Sequence, residues 1–170
     1  MKLLCVFALL IPGAIAYAGV DDYFPRGLPN AEWSSSLATL QQRYPEGFLY
    51  PVASKSMPYH FVVPGTHKEL GLHVPVRAIT FGLSADGTLH VVWIHLDNSN
   101  PDTVLYDIAE ALGENYTTQD VKNARNYGWK PGATTSVALQ IARPLPTSWA
   151  LLALSRIDEK SSALGICQCD

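Results

Sequence analysis

A chain of 170 residues can bury one core and is short for two. Charged residues make up 16% and hydrophobic residues 48%, which excludes a disordered chain. The formal charge is −3, and Lys and Arg are scattered singly, so no basic run is available to attract nucleic acid or an anionic membrane surface.

The N-terminus reads as an export signal. Lys2 supplies a positive start, Leu3 to Ile11 is uninterrupted and apolar, Pro12-Gly13 breaks the run, and Ala16-Tyr17-Ala18 is an A-x-A cleavage site. The apolar run is too short to span a bilayer. Residues 1–18 are therefore expected to be a signal peptide, 19–158 a single domain and 159–170 a tail, in a periplasmic or secreted protein with no membrane insertion after cleavage. Cleavage leaves Cys167 and Cys169 in the tail sequence ICQCD. In an oxidising compartment they can pair with each other, pair with another molecule or stay apart, and a Cys-x-Cys ring constrains almost no chain. Two thiolates fall short of the four ligands of a structural zinc site, so neither metal nor cofactor is expected.

Gly19 to Asn30 forms an N-terminal arm that carries Tyr23 and Phe24. A first helix is expected next, with Asn30 as N-cap and Glu32 in its first turn. Trp33, Leu37, Leu40 and Tyr44 form its apolar stripe, and Pro45 and Gly47 end it. Phe48 to Pro58 reads as irregular, Tyr59–Val63 as a short strand and Pro64–Glu69 as a polar loop. Val76 to Leu83 is a strand, and Pro75 places an edge or a bulge at its start.

Ala78–Leu83 and Thr88–Leu96 are the arms of a hairpin across Ser84-Ala85-Asp86-Gly87. The second arm places Leu89, Val91 and Trp93 on one face and Val92, Ile94 and Leu96 on the other. A strand apolar on both faces belongs in the middle of a sheet. A second helix has Asn100 as N-cap, Pro101 at its first position and Gly113 as its stop, with Val104, Leu105, Ile108, Ala109 and Leu112 buried. Glu114 to Trp129 reads as loop-rich with a short helix near Gln119–Arg125. A last hairpin joins Thr135–Ala142 to Trp149–Ser155.

The order is α-β-β-β, then α-β-β. It predicts an α+β fold, an antiparallel sheet with two helices packed on one face. Trp33, Leu37, Leu40 and Tyr44 recur in spacing as Leu105, Ala109, Leu112 and Tyr116, an echo that would fit two α-then-hairpin units.

Trp33 to Pro45, Ala78 to Trp93, Ile108 to Gly113 and Ser136 to Leu154 carry a resemblance in layout. Behind a signal peptide, they resemble small periplasmic α+β proteins of Gram-negative bacteria, similar to β-lactamase-inhibitor-like modules and to immunity proteins of secreted toxins. The resemblance implies a protein-binding role.

The chain contains no G-x-S-x-G, H-E-x-x-H, Walker A or G-x-G-x-x-G motif. His67 with Glu69, and His73 nearby, would bind a metal only if the 64–73 loop folded back, and surface histidines are the simpler reading. His90 and His95 fall on opposite faces of their strand. His95 and Asp97 share a face and would form a His–carboxylate pair able to orient a general base. Asp107 and Glu110 read as solvated residues on the polar face of the second helix. Tyr116, Tyr127 and Trp129 stand among Asn, Thr and Gly, residues that suit a binding surface, although core packing of Tyr127 and Trp129 is the simpler reading. The expected function is an inhibitor or immunity protein recognising a toxin or lytic enzyme, with Tyr116, Tyr127, Trp129, His67 and Glu69 as contacts. The alternatives are a small secreted hydrolase using His95 and Asp97, or an envelope structural or assembly factor.

Overall fold

A computed structural model describes residues 19–67, 70–97, 100–142 and 149–157. The export signal, Glu69, Cys167 and Cys169 lie outside the described residues. Among the described residues the fold is α+β, with a sheet of eight antiparallel strands in the order β3-β4-β5-β6-β10-β9-β8-β7. These strands are β3 (Phe48–Pro51), β4 (Tyr59–Pro64), β5 (Val76–Leu83), β6 (Leu89–Asp97), β7 (Tyr116–Val121), β8 (Ala124–Trp129), β9 (Thr135–Ala142) and β10 (Trp149–Arg156). The helices are α1 (Val20–Tyr23), α2 (Leu37–Arg43) and α3 (Pro101–Leu112), and a small hairpin pairs β1 (Gly27–Leu28) with β2 (Ala31–Glu32).

The strand order is a palindrome. Helix α2 precedes the meander β3 to β6, helix α3 precedes the meander β7 to β10, and the last strands β6 and β10 pair at the centre of the sheet. Each half is thus a helix followed by four strands, longer than the helix-plus-hairpin unit expected. Phe48–Pro51 forms an edge strand despite Pro51, because an edge tolerates a residue that cannot donate to a ladder. The segment expected to be a loop with a short helix is the β7–β8 hairpin, with a two-residue turn at Lys122-Asn123. Tyr127 and Trp129 point to one side of it and Asn126 and Gly128 to the other, a period of two.

The first helix also differs from expectation. It begins at Leu37, and the Ser36 side chain accepts from Thr39 N as its cap. Residues 31 and 32 belong to the small hairpin instead, and Trp33 follows it, buried. Helix α3 matches its expected limits, with Asn100 as N-cap, Pro101 leading and Gly113 closing it at φ 91°.

The core lies between the sheet and the layer of helices and N-terminal segment. Phe61, Ile79, Phe81, Val92, Ile94, Leu139 and Leu152 face it from the sheet, fully buried. Leu40 and Tyr44 approach from α2, and Val104, Ile108 and Leu112 from α3. Each such large apolar side chain contributes roughly 1.5–3 kcal/mol by leaving water. Leu89 joins this face, contrary to the strict alternation expected. A register shift between Gly82 and Leu83 moves Leu89 to the core side and leaves Val91 and Trp93 on the other. A second shift between Val76 and Ala78 follows Pro75, where a break in the ladder was expected.

Candidate functional site

The sheet face opposite the helices presents a built surface. A single cross-strand row runs through Phe48, Val62, Thr80, Trp93, Ala153, Ala138, Gly128 and Thr117, one residue from each strand. The first half of the row is bulky and the second half is small. Phe48 is 52% exposed and its neighbour two along, Tyr50, is 56% exposed. Large rings left in water at these levels cost hydrophobic free energy that a covering partner would recover.

Within this face the His60 and Trp93 rings meet at a tilt of 54° with centroids 4.8 Å apart, although β5 lies between their strands. Gly82 makes this contact possible, because it stands opposite His60 on one side and Val91 on the other and carries no side chain. A Cβ there would overlap Val91 Cγ1 and lie 3.0 Å from Trp93 Cζ3 and 3.2 Å from Met57 Sδ. The 52–58 segment therefore brings Met57 over the glycine and covers part of the face.

His95 lies on the same face, and its Nε2 is 3.0 Å from Thr80 Oγ1. Asp97 forms an ion pair with Arg77, Nη2 to Oδ2, at 3.0 Å. The His95–Asp97 pair expected from their shared parity gives way to these two partnerships. Burial lowers the pKa of both His60 and His95 below the ordinary imidazole value. Both rings are thus neutral at neutral pH, and the face is weakly charged between them.

The residues expected to make contacts lie elsewhere. Tyr127 and Trp129 are buried on the core side of β8, and Tyr116 on β7 is half-buried against both. Its ring centroid is 5.5 Å from that of Tyr127 and 5.4 Å from that of Trp129. Trp129 Nε1 donates to Gly113 O at 2.7 Å, which ties the end of α3 to the β7–β8 hairpin. His67 is also buried, with its Nε2 3.4 Å from Val63 O and its ring edge-on to Tyr44. These rings offer core contacts rather than an outward surface. Among the outward aromatic residues of this face that sequence reasoning missed are Phe48 and Tyr50, with Trp93 half-buried on the same side. Their signal was parity: Phe48 and Tyr50 share a face if 48–51 is a strand, and Trp93 shares one with His95.

A second cluster lies on the helix layer. Asp107, expected to be solvated, is buried. Its Oδ2 accepts from Val74 N at 2.9 Å and from His73 N at 3.0 Å. Its Oδ1 lies 3.2 Å from His73 Nδ1. Glu110 is one helical turn further along α3, and ligand atoms of His73, Asp107 and Glu110 all lie within 4.8 Å of one another. Tyr23 OH donates to Leu70 O beside them. Burial, reinforced by the Asp107 charge, raises the Tyr23 pKa.

Two hollows among the described residues, one between Pro29 and Arg43 and one beside Leu112 to Asn115, are open and shallow. Comparison with protein families, with curated proteins and with solved structures gives no match.

Proposed function

We propose that this is an exported protein of the cell envelope that binds another protein, as an inhibitor or immunity protein directed at a toxin or lytic enzyme. The carrying observation is the sheet face opposite the helices, where Phe48 and Tyr50 stand more than half exposed beside the tilted His60–Trp93 ring pair. An antiparallel sheet holds such rings at fixed spacing, so little conformational entropy is lost on binding. The floor beyond them, Ala153, Ala138 and Gly128, is low enough to admit a protruding element of a partner. With both imidazoles neutral, the face suits an apolar, weakly charged contact surface.

The test is recovery of the partner from an envelope extract of the source organism with the protein as bait. The expected result is one stoichiometric toxin or lytic enzyme whose activity the protein suppresses. Tyr50→Ala and Phe48→Ala should each weaken the suppression at least tenfold. Suppression that survives both substitutions, or no such partner at micromolar bait, would overturn the reading.

A further inference from the structure

We propose that His73, Asp107 and Glu110 form a binding site for one divalent first-row metal ion of the Zn²⁺ type. One imidazole and two carboxylates are a donor set suited to such ions, and their ligand atoms lie within 4.8 Å of one another. The residues come from two separate elements. His73 lies in the segment before β5, whereas Asp107 and Glu110 share one side of α3 at a spacing of three.

The buried carboxylate gives the cluster its order. Val74 N and His73 N hold Asp107 Oδ2, so the carboxylate cannot rotate freely. This is the supporting role that outer hydrogen bonds play around metal-ligating carboxylates. Oδ1 is thereby directed at the His73 imidazole. The His73 side chain is 81% exposed and Glu110 is exposed, so an ion has a path from solvent and room for water ligands. An ion there would join the 70–74 segment to α3 through both side chains. That link adds to the backbone hydrogen bonds already present.

Three protein ligands leave at least one coordination position for water, which distinguishes this site from a closed four-ligand structural site. Ca²⁺ and Mg²⁺ take mainly oxygen ligands, so the imidazole favours Zn²⁺ over both.

The experiment is a calorimetric titration of the untagged protein with Zn²⁺, in a Cys167→Ser/Cys169→Ser background that removes the competing thiols. Co²⁺ serves as a spectroscopic probe of the same site. The expected result is one Zn²⁺ per chain at micromolar affinity, with visible Co²⁺ bands and no comparable uptake of Mg²⁺. His73→Ala and Glu110→Gln should each lower the affinity at least tenfold and abolish the Co²⁺ bands. Glu110 is exposed, so the melting temperature of the metal-free Glu110→Gln protein should stay within about 2 °C, and this variant separates loss of metal from the loss of the Asp107 contact that His73→Ala also brings. Absence of Zn²⁺ binding at 100 micromolar metal, or binding that both variants retain, would overturn the proposal.

Discussion

The hydrogen bond from Trp33 Nε1 to Thr135 Oγ1, at 3.0 Å, joins residues 102 positions apart and is buried at both ends. Thr135 is fully buried and Trp33 nearly so. Thr135→Val keeps the shape of the side chain and removes the acceptor. The indole N–H is then stranded in the core, at a cost of about 1–3 kcal/mol. Trp33→Phe removes the donor instead and leaves a void, but the Thr135 hydroxyl retains Thr134 Oγ1 at 3.4 Å. The double mutant should therefore be less destabilised than the sum of the two, by about 1 kcal/mol. Urea unfolding of the four proteins measures this. With a slope of about 2 kcal/mol per molar, Thr135→Val should move the midpoint by about 0.5–1.5 M. A coupling energy below about 0.3 kcal/mol would refute the argument that this bond ties the N-terminal segment to the second meander.

Asp107→Asn should destabilise the fold by about 2–4 kcal/mol, because the carboxylate serves two backbone N–H groups and an imidazole, and an amide oxygen replaces only part of that. Thermal unfolding checks it, and a loss under about 0.5 kcal/mol would contradict the anchoring role. Gly82→Ala should cost about 1–3 kcal/mol through overlap with Val91 and crowding of Trp93 and Met57. Near-ultraviolet circular dichroism should then report a disturbed Trp93, and an unchanged spectrum with unchanged stability would count against the close packing. His60 and His95 have lowered pKa values in the folded protein, so the unfolded chain takes up protons first as pH falls. Their contribution to stability is complete above the ordinary imidazole pKa. It declines as pH drops from there through the folded values. Replacing both by Gln should flatten denaturation midpoints measured across that window.

The sequence disclosed the elements whose local signals agree with their tertiary setting. Ser84-Ala85-Asp86-Gly87 turns the central hairpin with Gly87 at φ 79° and Ser84 N bonded to Thr88 O at 2.9 Å. The Asp86 carboxylate accepts from the Ser84 hydroxyl and from Thr88 N, which lowers its pKa to about 2. Helix α3 carries its start and stop signals at the correct residues. Helix α2 starts later than its apolar spacing suggests because Trp33 is apolar for a different reason: it follows the small hairpin and donates to Thr135, so it only mimics a helical stripe. The β7–β8 hairpin was hidden by polar residues. Its outer strand, β7, is exposed along nearly its whole length, so alternation is visible only in β8. Asp107 was unreadable for a third reason, since helical spacing places it beside Val104 and Ile108 but cannot show that two backbone N–H groups of the 73–74 turn await a carboxylate.

Strand parity separates the expected contact residues from the open face. Tyr127 and Trp129 look like surface residues because their neighbours are Asn126 and Gly128, yet in a strand the neighbours belong to the opposite face. That opposite face is the open one, where Gly128 belongs to the small-residue half of the row that begins at Phe48. The buried aromatic cluster and the exposed floor are thus two sides of one hairpin. Replacing Trp129 would test the core, whereas replacing Phe48 or Tyr50 tests the surface with little effect on folding. The metal cluster lies on the helix layer, on the other side of the sheet from those rings. Loss of Zn²⁺ binding in Glu110→Gln should therefore leave partner suppression intact, and loss of suppression in Tyr50→Ala should leave Zn²⁺ uptake intact. A protein in which either substitution removed both activities would require the two faces to be coupled through α3 and the core, a coupling that these contacts give no reason to expect.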